Sequence, residues 1–511
     1  MSKRQNVLFI VLDQLRADLV SGDLANHVKL PNIRALMDDA VTFTKHYSVT
    51  NPCGPSRVSI LTGQYAMTHR SVRNGTPARH DTPNIATQMR TSGYMPLLFG
   101  YTDTAQDPRV YAPADPALTT YEFPMNGFRE IIEMRSEESY PWRADLVAKG
   151  YAIPDYADFF VPDTPKGQVP RIDDPAFYSA KDSDTAFLTD AFLADYAVRK
   201  EQAWFRHLTY IRPHPPLVAP APYNTMYDPD SLPRPSKLDR SVEAAVHPFL
   251  ASALDHLSPR NCVSGFPDLP DDDKTVATLR ALYFGLASEV DHHIGRVIGA
   301  LKQAGQYDDT LIVLTSDHGE MLGDRHAWGK MSVYDAAYHA PLIVRDPRNP
   351  AQFGMRVTTP TQSIDVAPTI LDWVGNPVPS SMDGQSLVPF LEGETPPDWS
   401  DITMSELDFG DPFTPTVWQR QHGLAAGVCN VAILRKGDLT LVHFNAGWPP
   451  LLFDHGAQGE FRNIAGDPDA APVLLEMTQA LLSHRMARAE GTFANTMITP
   501  KGPVFVGRPV H

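Results

Sequence analysis

Residues 6–14 read NVLFIVLDQ, an unbroken aliphatic run that stops at Asp13 and Gln14. Consecutive branched and aromatic residues without alternation predict a strand covered on both faces. The same form returns along the chain. YMPLLFG (94–100) runs into Tyr101-Thr102-Asp103, and WFRHLTYI (204–211) into Arg212-Pro213-His214-Pro215-Pro216. TLIVLTS (310–316) runs into Asp317-His318-Gly319-Glu320, and PLIVRD (341–346) follows. Between the runs lie helical patterns. Leu279, Leu282, Tyr283, Leu286, Val290, Ile294, Val297 and Leu301 recur at three-to-four spacing, which predicts a long amphipathic helix over 275–304. Ile364, Ala367, Ile370, Leu371 and Val374 predict another. Strands alternating with helices give an α/β fold, a large mostly parallel mixed β-sheet flanked by helices. In such sheets ligands bind beyond the carboxyl ends of the strands, where these polar pairs fall. That edge is the expected site.

Segments 108–190 and 212–274 are rich in Pro and Asp with weak periodicity, and read as long excursions over the site edge. After about residue 397 the pattern changes. VAILRK (431–436) and LTLVHF (439–444) predict a short antiparallel sheet, closed by an amphipathic helix near 472–489 and followed by a loose tail. The expected division is a large α/β domain over 1–397 and a smaller C-terminal α+β domain over 398–511.

Lys and Arg number 44 against 60 Asp and Glu, a net charge of −16, so nucleic acid and acidic membranes are poor partners. No apolar run approaches the roughly 18 residues of a membrane span. The N-terminal apolar run is followed at once by Asp13, Arg16 and Asp18 with no small-residue cleavage site, so no signal peptide is expected. Three cysteines, odd in number and far apart, argue against a disulfide framework and for a reducing cytoplasm.

One of those cysteines stands in NPCGPSRVSILTG (51–63). Pro55 suits a first helical turn and Gly63 a helix stop, so Cys53 is placed at a helix N-terminus, where free N–H groups favour an anion. Arg57, one turn inside, can fork two donors onto an oxyanion. On spacing alone Cys53 is either a thiol nucleophile or a small buried hydrophobe. Asp13, Gln14, Asp317 and His318 bring oxygen and imidazole donors to adjacent strand ends, a set suited to one divalent ion. The competing reading is that the two aspartates only cap helices.

Cys53-Gly54-Pro55-Ser56-Arg57, continued by Leu61-Thr62-Gly63, resembles the formylglycine signature of type I sulfatases in the alkaline phosphatase superfamily. Asp13 after an early strand, Asp317-His318-Gly319 after a late one, and Gly329-Lys330 complete the resemblance over nearly the whole chain. It implies that a formylglycine-generating enzyme or its equivalent oxidises Cys53 to an aldehyde, whose hydrate carries two hydroxyls on one carbon. One attacks sulfur or phosphorus, and the other then expels the inorganic group from the covalent intermediate. Neither a thiol nor a serine offers that second hydroxyl. Three departures, namely Gln14 where sulfatases carry Asp, His318 where they carry Asn, and no lysine motif after Gly100, look like the bacterial phosphonate monoester hydrolase branch. That branch is similar to sulfatases and also cleaves phosphodiesters and sulfate monoesters.

The resemblance implies roles residue by residue. Asp13, Gln14, residue 53, Asp317 and His318 would hold one divalent ion; the imidazole favours Mn2+ or Zn2+ over the Ca2+ of ordinary sulfatases. Arg57 would orient the formylglycine, while Asn74 and Tyr101 bind the transferred group. His214 would serve as general acid and Lys330 would neutralise charge at the leaving oxygen. Asp103 receives no role. His69, His326 and His339 are expected to be structural, and the acids from Glu320 to Asp324 to be solvated or loop-capping.

The function expected is hydrolysis of monoanionic sulfate monoesters, phosphonate monoesters and phosphodiesters, all small molecules. Two alternatives stand beside it: a two-metal phosphodiesterase or phosphatase with an ordinary nucleophile, and a non-catalytic protein that captures sulfated or phosphonylated ligands. The tail beyond residue 490 resembles arms that wrap neighbouring subunits, which implies a homodimer or homotetramer.

Overall fold

The structure is a computed structural model that describes residues 5–135, 139–199, 203–488 and 496–505. Its main sheet is built from β1 (Asn6–Leu12), β2 (Val41–Phe43), β3 (Pro96–Gly100), β4 (Arg129–Glu133), β5 (Phe205–Tyr210), β6 (Thr310–Ser316), β7 (Leu342–Arg345) and β8 (Arg356–Val357). They stand in the order β8-β2-β7-β6-β1-β5-β3-β4. The central block is parallel: β1 lies between β5 and β6, and β3 joins β5 to β4. Only β7 runs against its neighbours, β2 and β6. The sheet is therefore mostly parallel and mixed, as the apolar runs predict.

Along β1 the pleat sends Leu8, Ile10 and Leu12 into one buried cluster and Val7, Phe9 and Val11 into another. Both faces of the strand are dry, which is why the run shows no alternation. The first cluster is covered by helices that include α2 (Asp184–Val198) and α3 (Asp273–Gln303). The second is covered by α1 (Cys53–Thr62), whose every residue is buried, and by the helix Val366–Trp373.

The excursions carry more structure than their composition suggests. β4 reads REIIE and forms a half-buried sheet edge, and short helices stand at Tyr140–Ala148, Arg240–Val246 and Pro248–His256. Three charged residues, Arg129, Glu130 and Glu133, in a five-residue strand give no clear period, and edge strands tolerate such sequences.

The C-terminal sheet contains β9 (Ile402–Asp408), β10 (Asn430–Lys436), β11 (Leu439–Phe444) and β12 (Leu451–Asp454), all antiparallel. Its far edge is the pair Thr50–Asn51, which joins β9 in parallel and is separated from Cys53 only by Pro52. The segment that opens α1 is thus clamped by the second sheet. Helix α4 (Ala471–Ala487) packs through Met477 and Leu481, while Leu475, Leu482 and Met486 remain exposed. Of the tail beyond residue 490, a hairpin of Thr496–Thr499 with Gly502–Phe505 is described; the rest of that expected arm lies outside the described residues. Among the described residues no helix is long and apolar enough to cross a membrane.

Candidate active site

Register brings the site together. Leu12 pairs with Tyr210 on one side and with Ser316 on the other, so β1, β5 and β6 end level. The next residues of each chain are Asp13-Gln14, Ile211-Arg212 and Asp317-His318, all emerging at one edge. β3 delivers Tyr101 and Asp103 beside them, and α1 points its N-terminus at the same place. Two glycines pack closely there, one with room for a side chain only after small shifts and one with none. A Cβ at Gly54 would stand 3.0 Å from Asn74 Oδ1, and one at Gly319 only 2.0 Å from the Ala336 carbonyl.

Cys53 Sγ lies 3.3 Å from His318 Nε2 and 3.6 Å from Asp13 Oδ1. One ligand atom each from Asp13, Cys53, Asp317 and His318 falls within 4.8 Å of the others, and all four residues are buried. His318 Nδ1 donates to the Gly319 carbonyl at 3.0 Å, which leaves the Nε2 lone pair aimed at the cluster. Burial, reinforced by Lys330, pushes this imidazole down to about 3, so it is neutral and free to ligate.

Arg57 backs the cluster. Its Nε donates to Asp317 Oδ2 (3.0 Å), Nη1 to Thr209 Oγ1 (2.6 Å), and Nη2 to Asp13 Oδ2 (3.1 Å) and the Tyr101 hydroxyl (3.0 Å). Tyr101 in turn donates to Asp13 Oδ2 at 2.5 Å, and its ring lies 4.2 Å below the guanidinium. Asp103 Oδ2 stands 3.7 Å from Arg57 Nε.

The electrostatics of this pocket favour a cation. Burial, with Asp13 close by, pushes Asp317 up to about 7. Burial also raises Asp103, only partly offset by Arg57, and raises the Cys53 thiol, with Asp13 adding to it. For Asp13 burial is outweighed by His214, Arg57, Lys330 and His318, and its carboxyl is held below the usual range. Three buried carboxylates face two permanent cations. A divalent ion among Asp13, Asp317 and His318 would offset that excess of negative charge, and the donor set suits one. Gln14 and Asp103 both adopt left-handed backbone, φ +67° and +49°, the kind of strain that concentrates at functional sites.

Lys330 Nζ donates to Gln14 Oε1 at 2.6 Å and to His214 Nε2 at 2.9 Å. His214 Nδ1 donates to the Pro215 carbonyl at 2.5 Å. Burial and Lys330 push His214 down to about 3, whereas Lys330 is raised, burial being outweighed by Cys53, Asp13 and Asp317. The proton of this pair therefore rests on Lys330, not on the histidine expected to act as general acid. Asn74 is exposed and accepts from the Gly54 N–H at 3.0 Å through Oδ1.

All residues expected at the site thus converge. Glu320 was expected in a solvated or loop-capping place, and only the second half holds. It is buried and accepts from the Leu322 and Gly329 N–H groups at 2.8 and 2.6 Å, and from the Gln14 amide. Its position directly after Asp317-His318-Gly319 was the available signal. Thr209, Arg57's partner on β5, carried none. His69, His326 and His339 are each engaged at 2.8 Å elsewhere, by Ser59 Oγ, the Leu238 carbonyl and the Thr44 carbonyl.

A family model described as "Sulfatase" matches residues 5–376. The multifunctional alkaline phosphatase superfamily protein PehA of Trinickia caryophylli is 36% identical over 98% of both chains. The choline-sulfatase of Rhizobium meliloti is 27% identical over 76% of this chain and 72% of its own. Among solved structures, the phosphonate monoester hydrolase of Silicibacter pomeroyi superposes with a TM-score of 0.97 at 60% identity, covering 99% of this chain and 100% of its own. That of Agrobacterium radiobacter gives 0.93 at 40% identity over 99% and 100%.

Proposed function

The chain belongs to the sulfatase family, and from that premise we propose that it is a formylglycine- and metal-dependent hydrolase of sulfate monoesters, phosphonate monoesters and phosphodiesters. The observation that carries the proposal is the convergence of Asp13, Asp317 and His318 on residue 53 at the mouth of α1, with Arg57 behind. Oxidised to formylglycine, residue 53 would supply the attacking hydroxyl. A divalent ion on Asp13, Asp317 and His318, with Gln14 beside them, would polarise the ester and acidify that hydroxyl; Mn2+ or Zn2+ fits the imidazole better than Ca2+.

This chain's own residues do the rest. Arg57 ties both carboxylates and the Tyr101 hydroxyl together through one guanidinium. Tyr101 and Asn74 line the place of the transferred group. An anionic ester set against Lys330 and His214 adds negative charge beside both, so the proton of the pair stays on Lys330 until charge develops on the leaving oxygen. The proton then moves from Lys330 Nζ to Nε2 and on to the leaving oxygen. Asp13, Asp317 and Asp103 make the pocket rich in carboxylates, so a monoanion is accepted more readily than a dianionic phosphate monoester.

A two-metal mechanism needs a second ligand set beside the first. Among the described residues the other mixed cluster is Asp335, His455 and Glu460, where Arg435 Nε already sits 2.5 Å from Asp335 Oδ1. Parallel kinetics on an aryl sulfate, a phenylphosphonate ester, a phosphodiester and a phosphate monoester test the proposal, before and after chelation and Mn2+ return. The first three turn over, the dianionic ester is slower by about 100-fold or more, and chelation abolishes all rates. Preference for the phosphate monoester, or indifference to chelation, contradicts the reading.

A further inference from the structure

His214 stands in Arg212-Pro213-His214-Pro215-Pro216, where three prolines have no N–H to give. The loop's own backbone supplies little, with His214 N–H donating to the Ile211 carbonyl at 3.0 Å and Val218 N–H to the Pro216 carbonyl at 2.9 Å, and a further hold comes from a side chain. The buried guanidinium of Arg212 provides it: Nη1 donates to the His214 carbonyl at 3.0 Å and to the Pro216 carbonyl at 2.7 Å. Its Nε donates to Asp184 Oδ2 at 2.8 Å, and the ion pair is closed to solvent, with side-chain exposures of 2% and 4%. Asp184 is itself fixed as the first residue of α2, its Oδ1 accepting from the Thr185 N–H at 2.7 Å. Phe160 faces the guanidinium at 5.4 Å. Glu289 of α3 interacts electrostatically with both Asp184 and Arg212, but burial, with Asp184 adding to it, pushes Glu289 up to about 8.

We propose that Asp184 and Arg212 are positioning residues that fix His214 from α2, setting the ring opposite Lys330 and the leaving oxygen. The inference rests on the reading of His214 given above. Neither residue touches the ligand cluster in any hydrogen bond of the structure; their effect passes through the His214 and Pro216 carbonyls. A displaced imidazole costs most when the leaving oxygen needs a proton and least when it departs readily as an anion.

The test is kcat/KM over a series of aryl esters of graded leaving-group pKa for Arg212→Gln, His214→Ala and the double variant, with thermal melting and bound-metal content measured alongside. Arg212→Gln is expected to lose about 100-fold on the poorest leaving groups and only a few-fold on the best, steepening the leaving-group slope. In the His214→Ala background it is expected to add little further loss, because the two act as one unit. Should Arg212→Gln unfold, Arg212→Lys keeps the charge for Asp184 and removes the two-carbonyl fork, and it steepens the slope in the same way. A uniform loss across the series, or losses that multiply in the double variant, overturns the positioning role. If His214→Ala itself leaves the slope unchanged, the assignment of His214 fails instead, and the positioning proposal falls with it.

Discussion

Arg57 makes four hydrogen bonds to four side chains on four different segments. Its planar fork is what joins Asp13 to Asp317 while stacking on Tyr101. Lysine carries the same charge as a point and cannot span those acceptors. Arg57→Lys is accordingly expected to lower kcat by about 100-fold or more with the fold retained, as a lost preorganised donor does. Steady-state kinetics beside a thermal melt checks this; a loss under ten-fold would reduce Arg57 to a bystander. Position 103 shows the opposite situation. Asp103 Oδ1 is buried with no hydrogen-bond partner, and Oδ2 reaches only the edge of Arg57. The resemblance gives this carboxylate no role, and its left-handed backbone sets it apart again.

At the scale of elements, β5 lies in the middle of the sheet and carries His207 into the dry interior. The ring stacks 4.6 Å from Phe9 and has one ordinary bond, Nδ1 to the Phe9 carbonyl at 3.1 Å. Burial pushes it down to about 3. Unfolded, the same side chain takes a proton near 6.5. The sign follows: the stability tied to neutral His207 is in place above pH 6.5 and declines as pH falls towards 3. At pH 5 the wild type is expected to have lost about 2 kcal/mol relative to His207→Phe, compared with their difference at pH 7.5. Denaturant titrations of both proteins at the two pH values check it; parallel pH profiles contradict it. Elements of this kind were the most legible part of the chain, because β1, β5 and β6 are wet on neither face and announce themselves as apolar runs. The long helix was equally plain: 275–304 was predicted and Asp273–Gln303 is observed. β4 was not, since an edge strand half in solvent needs neither an apolar run nor strict alternation.

For the whole molecule, the site is an agreement between distant segments. Asp13 and Asp317 are separated by some three hundred residues, yet adjacent parallel strands of matched length bring them to one guanidinium. That agreement could be read from the sequence because the polar residues follow directly on the strand ends. What could not be read is how the loops complete the pocket. The Lys330–His214 contact, the burial of Glu320 and the clamp of Thr50–Asn51 in the C-terminal sheet depend on tertiary approach that local spacing does not encode. The protonation of the His214–Lys330 pair likewise follows from burial rather than from residue type. All of this machinery surrounds a side chain whose thiol is pushed up by burial and the nearby carboxylates. The most direct test is peptide mass spectrometry of the segment containing residue 53, on enzyme whose turnover has been measured in the same preparation. The account predicts an aldehyde or its hydrate at that position, in a fraction that tracks specific activity across preparations. Full activity in protein that carries only the unmodified thiol would contradict it.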